Sequence, residues 1–175
     1  VAGRFDLVNL TLISALTVAA VTDLRHGRIY NLLTYSAIVC GLMFSAIGAG
    51  PSLRSAIAGC LVGGLSLYLM FAAGWMGGGD VKLMAAVGAM KGYPFILHAM
   101  FYSIFVGGVC AAVALIWNGH FRGVVADLRD LARRASAPGA PHQPIAPRGG
   151  SFPFAVAIAI GTLTALVLEW RGVLL

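Results

Sequence analysis

With 175 residues, 59% of them apolar and only 10% charged, the chain departs from the roughly quarter-charged composition of soluble domains. A mean hydropathy of +0.90 points instead to a polytopic membrane protein in contact with lipid. The formal charge of +6 raises nucleic acid as a partner, but the basic residues are spread over loops beside apolar runs with no aromatic interleaving, so nucleic-acid binding is not expected.

Uncharged runs at 7–22, 29–53, 55–79, 92–121 and 149–168 each approach or exceed the roughly 20 residues that a helix needs to cross the hydrocarbon core. Residues 1–22 form the first expected span. It is followed by Asp-Leu-Arg-His and has no small-x-small cleavage site beside it, so no cleavable signal peptide is expected. The second span is expected from Ile29 to about Ile47 and the third from Leu53 to Ala73, with "GAGP" at 48–51 breaking the chain between them. Gly59 and Gly63 have the GxxxG spacing that lets helices approach closely in lipid.

After Gly77, Gly78 and Gly79 comes a short helix expected over 81–91. Its charge-free part, Leu83 to Met90, rises only about 12 Å, so it crosses only if Lys82 and Lys91 snorkel or the bilayer thins locally. A turn at "KGYP" leads into a long span from Phe95 to about Trp117. In "FRGVVADLRDLARR", Phe121, Val124, Val125, Leu128 and Leu131 recur at helical spacing between charges, which predicts an interfacial helix. Residues 135–150, rich in Pro, Ala and Gly, predict a flexible linker before the last span. The expected fold is all-α: a single membrane domain over 1–175 with six transmembrane helices, one of them short.

Lys and Arg in short loops gather on the cytoplasmic side. With six spans and the N-terminus outside, eight basic residues fall inside (Arg25, Arg28, Lys82, Arg122, Arg129, Arg133, Arg134 and Arg148) against four outside. Five spans would reverse the bias. The six-span arrangement puts 118–150 in the cytoplasm and both Asp23 and Asp80 at cytoplasmic helix ends. Cys40, Cys60 and Cys110 each sit alone in apolar runs, with no paired spacing for zinc, so neither a metal nor a cofactor is expected.

Of six acidic residues, Asp6 and Glu169 flank spans beside basic neighbours, and Asp127 and Asp130 lie on the polar face of the interfacial helix. Asp23 and Asp80 remain, each at the end of an apolar run, where ionisable groups are costly and usually functional. The bland alternative for both is helix capping, or pairing with Arg25 and Lys82. Gly77, Gly78 and Gly79 carry no side chains, so an extended substrate backbone has room to approach beside Asp80. Two carboxylates brought to one depth are the minimal equipment of an aspartic protease: one stays protonated as acid while the other, ionised, activates water. Lys82 is a candidate to tune the Asp80 pKa or to hold a substrate carboxylate, although an inside-facing anchor is the favoured explanation. Asn31 and Arg25 are candidates for shaping the first site, whereas His98 lies near the far end of its span.

"TDLRHGRIYNLLT" (22–34), "GGGDVKLMAAVG" (77–88) and "SFPFAVAIAIG" (151–161) resemble the motifs of the prepilin peptidases, membrane aspartic proteases of the GxGD type. The resemblance implies a catalytic pair at Asp23 and Asp80, structural glycines at Gly77 and Gly79, and six spans in a bacterial inner membrane with the site facing the cytoplasm. It implies as substrate a prepilin or prepilin-like protein whose leader is cut just before an N-terminal hydrophobic helix; it sets no oligomeric state. The family commonly has Ile-Pro-Asn where this chain has Ile29-Tyr30-Asn31, which puts the local geometry in question. The zinc-type cysteine pairs of bifunctional members find no match here, so the resemblance is to the peptidase-only form that serves tight-adherence pili. Two other classes compete with a protease. A small proton- or cation-coupled transporter would place carboxylates near mid-membrane and show an internal repeat, and a non-catalytic subunit of a pilus or secretion machine would leave the Gly-Gly-Gly-Asp turn idle.

Overall fold

The computed structural model describes residues 7–74, 76–117 and 154–173. All regular structure among them is helical: α1 Leu7–His26, α2 Asn31–Ala46, α3 Leu53–Ala72, α4 Gly78–Lys91, α5 Tyr93–Trp117 and α6 Phe154–Trp170. The chain divides into two compact units, 1–107 with 153–175, and 108–152; the site lies in the first. Helices α1 and α3 and the Tyr93–Val113 part of α5 are long and apolar enough to cross a membrane, and α2 and α6 are shorter apolar helices. The protein is an all-α polytopic membrane protein. The interfacial helix and linker expected over 118–150 lie outside the described residues.

Glycines in the left-handed conformation set where two of the helices stop. Gly27, at φ 60°, ends α1 and donates its N–H to the Asp23 carbonyl at 2.8 Å. Gly92, at φ 83°, does the same for α4. Helix α3 starts at Ser52, whose side chain accepts the Ser55 N–H.

Two boundaries differ from the sequence expectation. Helix α1 continues past Thr22 to His26, so Asp23 lies in its last turn rather than beyond its end. Hydropathy truncates a helix at its first charge, whereas the backbone continues to the residue that breaks it. Helix α4 begins at Gly78, not at 81, so two of the three glycines belong to its first turn. The N–H groups there need no intrahelical partner, which makes weak helix formers tolerable.

Helix α4 is the core. Every residue from Leu83 to Met90 is buried. Its neighbours reach it through glycines. A Cβ added at Gly59 would strike the Gly88 backbone, one at Gly63 would come within 2.7 Å of the Met84 carbonyl oxygen, and one at Gly41 within 2.9 Å of Ala89 and Met90. Gly59 and Gly63 therefore do pack helices, α3 directly against the α4 backbone. The outer helices present Leu32, Leu69 and Phe101, each more than 60% exposed, to their surroundings, the inverse of a soluble fold and suited to lipid.

This enclosure accounts for the short helix. Fourteen residues rise about 21 Å, less than the hydrocarbon thickness. Shortness and polar ends are tolerable where protein rather than lipid surrounds the backbone. Nor does Lys91 run free to a bilayer surface. It pairs with Glu169 of α6 at 2.7 Å, donates to Asn9 of α1 at 3.2 Å, and lies 5.0 Å from the centre of the Phe95 ring. Glu169 is thus matched across helices, not with the neighbouring Arg171.

Candidate active site

The opposite end of α4 carries the polar cluster. Asp23 reaches it from the last turn of α1, held in register because Gly27 turns the chain immediately afterwards. Its Oδ2 accepts the backbone N–H of Ala155, the second residue of α6, at 3.1 Å. That N–H is one of the helix's unpaired first-turn donors, so α6 fixes the carboxylate's direction while the carboxylate caps α6.

Asp80 is only 8% exposed and sits three residues after Gly77, the residue that precedes α4. Its carboxylate accepts from the Gly77 backbone, which lacks a capping side chain of its own. This is one half of a capping box. The capping reading is therefore correct for one oxygen. The other, Oδ1, is buried with no hydrogen-bond partner among the described residues. Capping does not explain that atom, because a buried carboxyl oxygen left unpaired is costly. Asp23 is near enough for its charge to act on Asp80.

The segments bearing them are joined by two contacts. A Cβ on Gly79 would lie 2.9 Å from the Cβ of Ile29, in the loop between α1 and α2. One turn further along α4, Lys82 Nζ donates to Asn31 Oδ1 at 2.8 Å and lies 4.9 Å from the centre of the Tyr35 ring. Lys82, expected to hold substrate or to anchor, is thus engaged within the protein. The room beside Gly79, expected for a substrate, is taken by Ile29. A Cβ on Gly78 would lie 3.4 Å from the Phe71 ring, and one on Gly77 would lie 3.2 Å from Asp80 Oδ2.

Tyr30 precedes α2 with φ −71° and ψ 131°. That φ lies inside the range proline imposes, so the departure from Ile-Pro-Asn leaves the backbone where a proline would put it. Arg25 is exposed. His98 Nδ1 lies 3.1 Å from the Pro94 carbonyl oxygen, one turn earlier on its own helix. Sequence reasoning did not single out Gly27, Ile29 or Ala155. The left-handed turn at Gly27 had a signal, a glycine after a basic last turn. The other two act through contacts made only on folding.

Residues 10–112 match the type IV leader peptidase family, a span that contains both aspartates and α4. The chain belongs to this family. Among curated relatives it is similar to the prepilin leader peptidase/N-methyltransferase of Pectobacterium carotovorum subsp. carotovorum, 36% identical over 120 residues, covering 63% of this chain and 41% of the relative. The protein of the same description from Neisseria gonorrhoeae is 36% identical over 123 residues, 66% of this chain and 40% of that one. That from Bacillus subtilis is 29% identical over 155 residues, 87% of this chain and 52% of the relative. The chain thus spans about two fifths to one half of these relatives' length. No solved structure matches it.

Proposed function

We propose that this member of the type IV leader peptidase family is an aspartic endopeptidase that removes the leader of prepilins or prepilin-like proteins, with Asp23 and Asp80 as its catalytic pair. The observation that carries the reading is the pair itself. Two carboxylates from different helices interact at one end of the bundle, one of them with a buried oxygen that nothing in the described fold uses.

The chemistry asks little else of the chain. Two carboxylates at one site share a proton, since both cannot ionise cheaply so close together. The ionised partner takes a proton from water as its oxygen attacks the scissile carbonyl, and the protonated partner donates to the carbonyl oxygen. Collapse of the tetrahedral diol returns a proton to the leaving amine and frees both peptides. The Ala155 N–H holds Asp23 in direction throughout, and Gly77 does so for Asp80. Gly77 and Gly78, whose missing side chains border the Asp80 oxygen and Phe71, are the glycines we place beside the substrate.

Six spans, a cytoplasmic-facing site in the inner membrane and a substrate presenting its hydrophobic helix from the bilayer complete the proposal, supported by the basic asymmetry of the loops. The tight-adherence pilus is the proposed setting. Methyl transfer lies outside the proposal. Co-expression with a candidate prepilin tests it: the pilin should shorten by its leader when this chain is present, and an unshortened pilin across prepilins of the same cell would refute it.

A further inference from the structure

We infer that Lys82 is a positioning residue for the aspartate pair, acting through Asn31. The inference rests on the peptidase reading above. Helices α2 and α4 run parallel and are held together at two heights. At the far end the contact is apolar and close, Gly41 against Ala89 and Met90. At the site end it is polar: the 2.8 Å hydrogen bond from Lys82 Nζ to Asn31 Oδ1, with the ammonium also lying over the Tyr35 ring.

Asn31 is the first residue of α2, and only the loop 27–30 separates it from the α1 turn that carries Asp23. Lys82 is two residues beyond Asp80 on a helix that is buried at Asp80 and continuously from Leu83 to Met90. A tie between Asn31 and Lys82 therefore fixes the α2 end of the short loop that follows the Asp23 turn to the helix that carries Asp80. The tie is strong for its size. A hydrogen bond from an ammonium is charge-assisted, and the aromatic face stabilises the same cation. Each partner also lacks a competing role. The Asn31 amide is exposed and not needed to cap α2, where no side-chain cap is made. Placing a carboxylate pair correctly governs turnover far more than affinity, because small misplacements of reacting groups cost rate steeply.

The test is a double-mutant cycle in the full chain reconstituted in nanodiscs, with prepilin cleavage expressed per folded molecule. Lys82→Met and Asn31→Ala should each lower kcat by roughly tenfold to a hundredfold with KM nearly unchanged, and the double variant should be no slower than the slower single one. Lys82→Arg, which keeps a cation and a donor, should retain most of the rate. Effects that multiply in the double variant overturn the inference. So does wild-type kcat in Asn31→Ala. A raised KM with unchanged kcat in Lys82→Met also overturns it, and gives Lys82 to substrate binding instead.

A second readout does not depend on catalysis. Spin labels at Leu32, at the start of α2, and Ala73, just before the turn into α4, in a background without Cys40, Cys60 and Cys110, should show a broader distance distribution in both single variants than in wild type. Unchanged distributions refute the tie. A wild type that cuts no prepilin while the distributions broaden would refute the peptidase reading and leave the tie standing.

Discussion

Ile29 occupies the space that a side chain at Gly79 would need, their separation being 2.9 Å from the Ile29 Cβ to a Cβ built on Gly79. The close approach that this glycine permits is between the two aspartate-bearing segments. Gly79→Val should therefore push the 27–30 loop away from α4 and lose most cleavage activity per folded molecule. The distinguishing outcome is rescue. Gly79→Val combined with Ile29→Ala should recover much of the rate, because the smaller residue yields the volume. A double variant as inactive as Gly79→Val alone would return the space to the substrate.

Asp23→Asn and Asp80→Asn should each abolish cleavage while leaving the protein inserted and abundant, since an amide neither takes a proton from water nor shares one. Asp80→Asn also relieves the burial of a charge beside Asp23, which outweighs the weaker acceptor left for Gly77, so the melting temperature should hold or rise. Asp127→Asn and Asp130→Asn should cut at the wild-type rate. Persistent cleavage in either pair variant would eliminate the two-aspartate mechanism.

Tyr30 already has proline's φ and is half exposed. Tyr30→Pro should be accepted without loss of turnover and should stabilise the chain by about 0.4–1 kcal/mol by narrowing the unfolded ensemble. Thermal unfolding of the two forms in one detergent decides the point. A destabilised variant would mean that the tyrosine ring or its N–H is in use.

Neighbouring glycines on α3 should part company. A methyl at Gly63 meets the Met84 carbonyl oxygen at 2.7 Å, and the backbone cannot give way, so Gly63→Ala should destabilise by about 1–3 kcal/mol. At Gly64 the nearest atom is the Ala85 methyl at 3.4 Å, an ordinary contact. Gly64→Ala should be neutral or gain up to about 1 kcal/mol from helix propensity. Equal effects at the two positions would show that α3 does not lie on α4 as described.

Much of the fold was legible because lipid-facing helices declare themselves by uninterrupted apolar length, and α1, α3 and α5 are of that kind. The candidate aspartates were legible for the complementary reason: in so apolar a chain, a carboxylate at the end of a run is conspicuous. What escaped the sequence was the inside of the bundle. Helix α4 read as a doubtful crossing because hydropathy scores a segment against lipid, whereas α4 is solvated by α2 and α3. The job of Gly79 escaped for a related reason. A glycine announces that something comes close, but Ile29, 50 residues earlier, is brought there only by folding. The partner of Glu169 was likewise out of reach, since Lys91 is paired with it by the packing of α4 against α6 and not by proximity in the chain.

The burial of α4 bears on how the protein is made. A helix of 14 residues holding Asp80, Lys82 and Lys91 is a poor candidate for release from a translocon into bilayer by its own partition energy. The preceding helix, with its 20 apolar-rich residues, is a good one. Since α3 offers α4 a glycine-lined seat directly upstream, the two should enter together as a hairpin, with α4 retained at the insertion machinery until α3 shelters it. Reporter fusions that score translocation by glycosylation make the difference visible: α4 alone in a neutral host should fail to stop in the membrane, the α3–α4 pair should succeed, and Gly59→Leu, which closes the seat without altering α4, should undo that success. Efficient insertion of α4 in isolation would show that its shelter matters only after assembly.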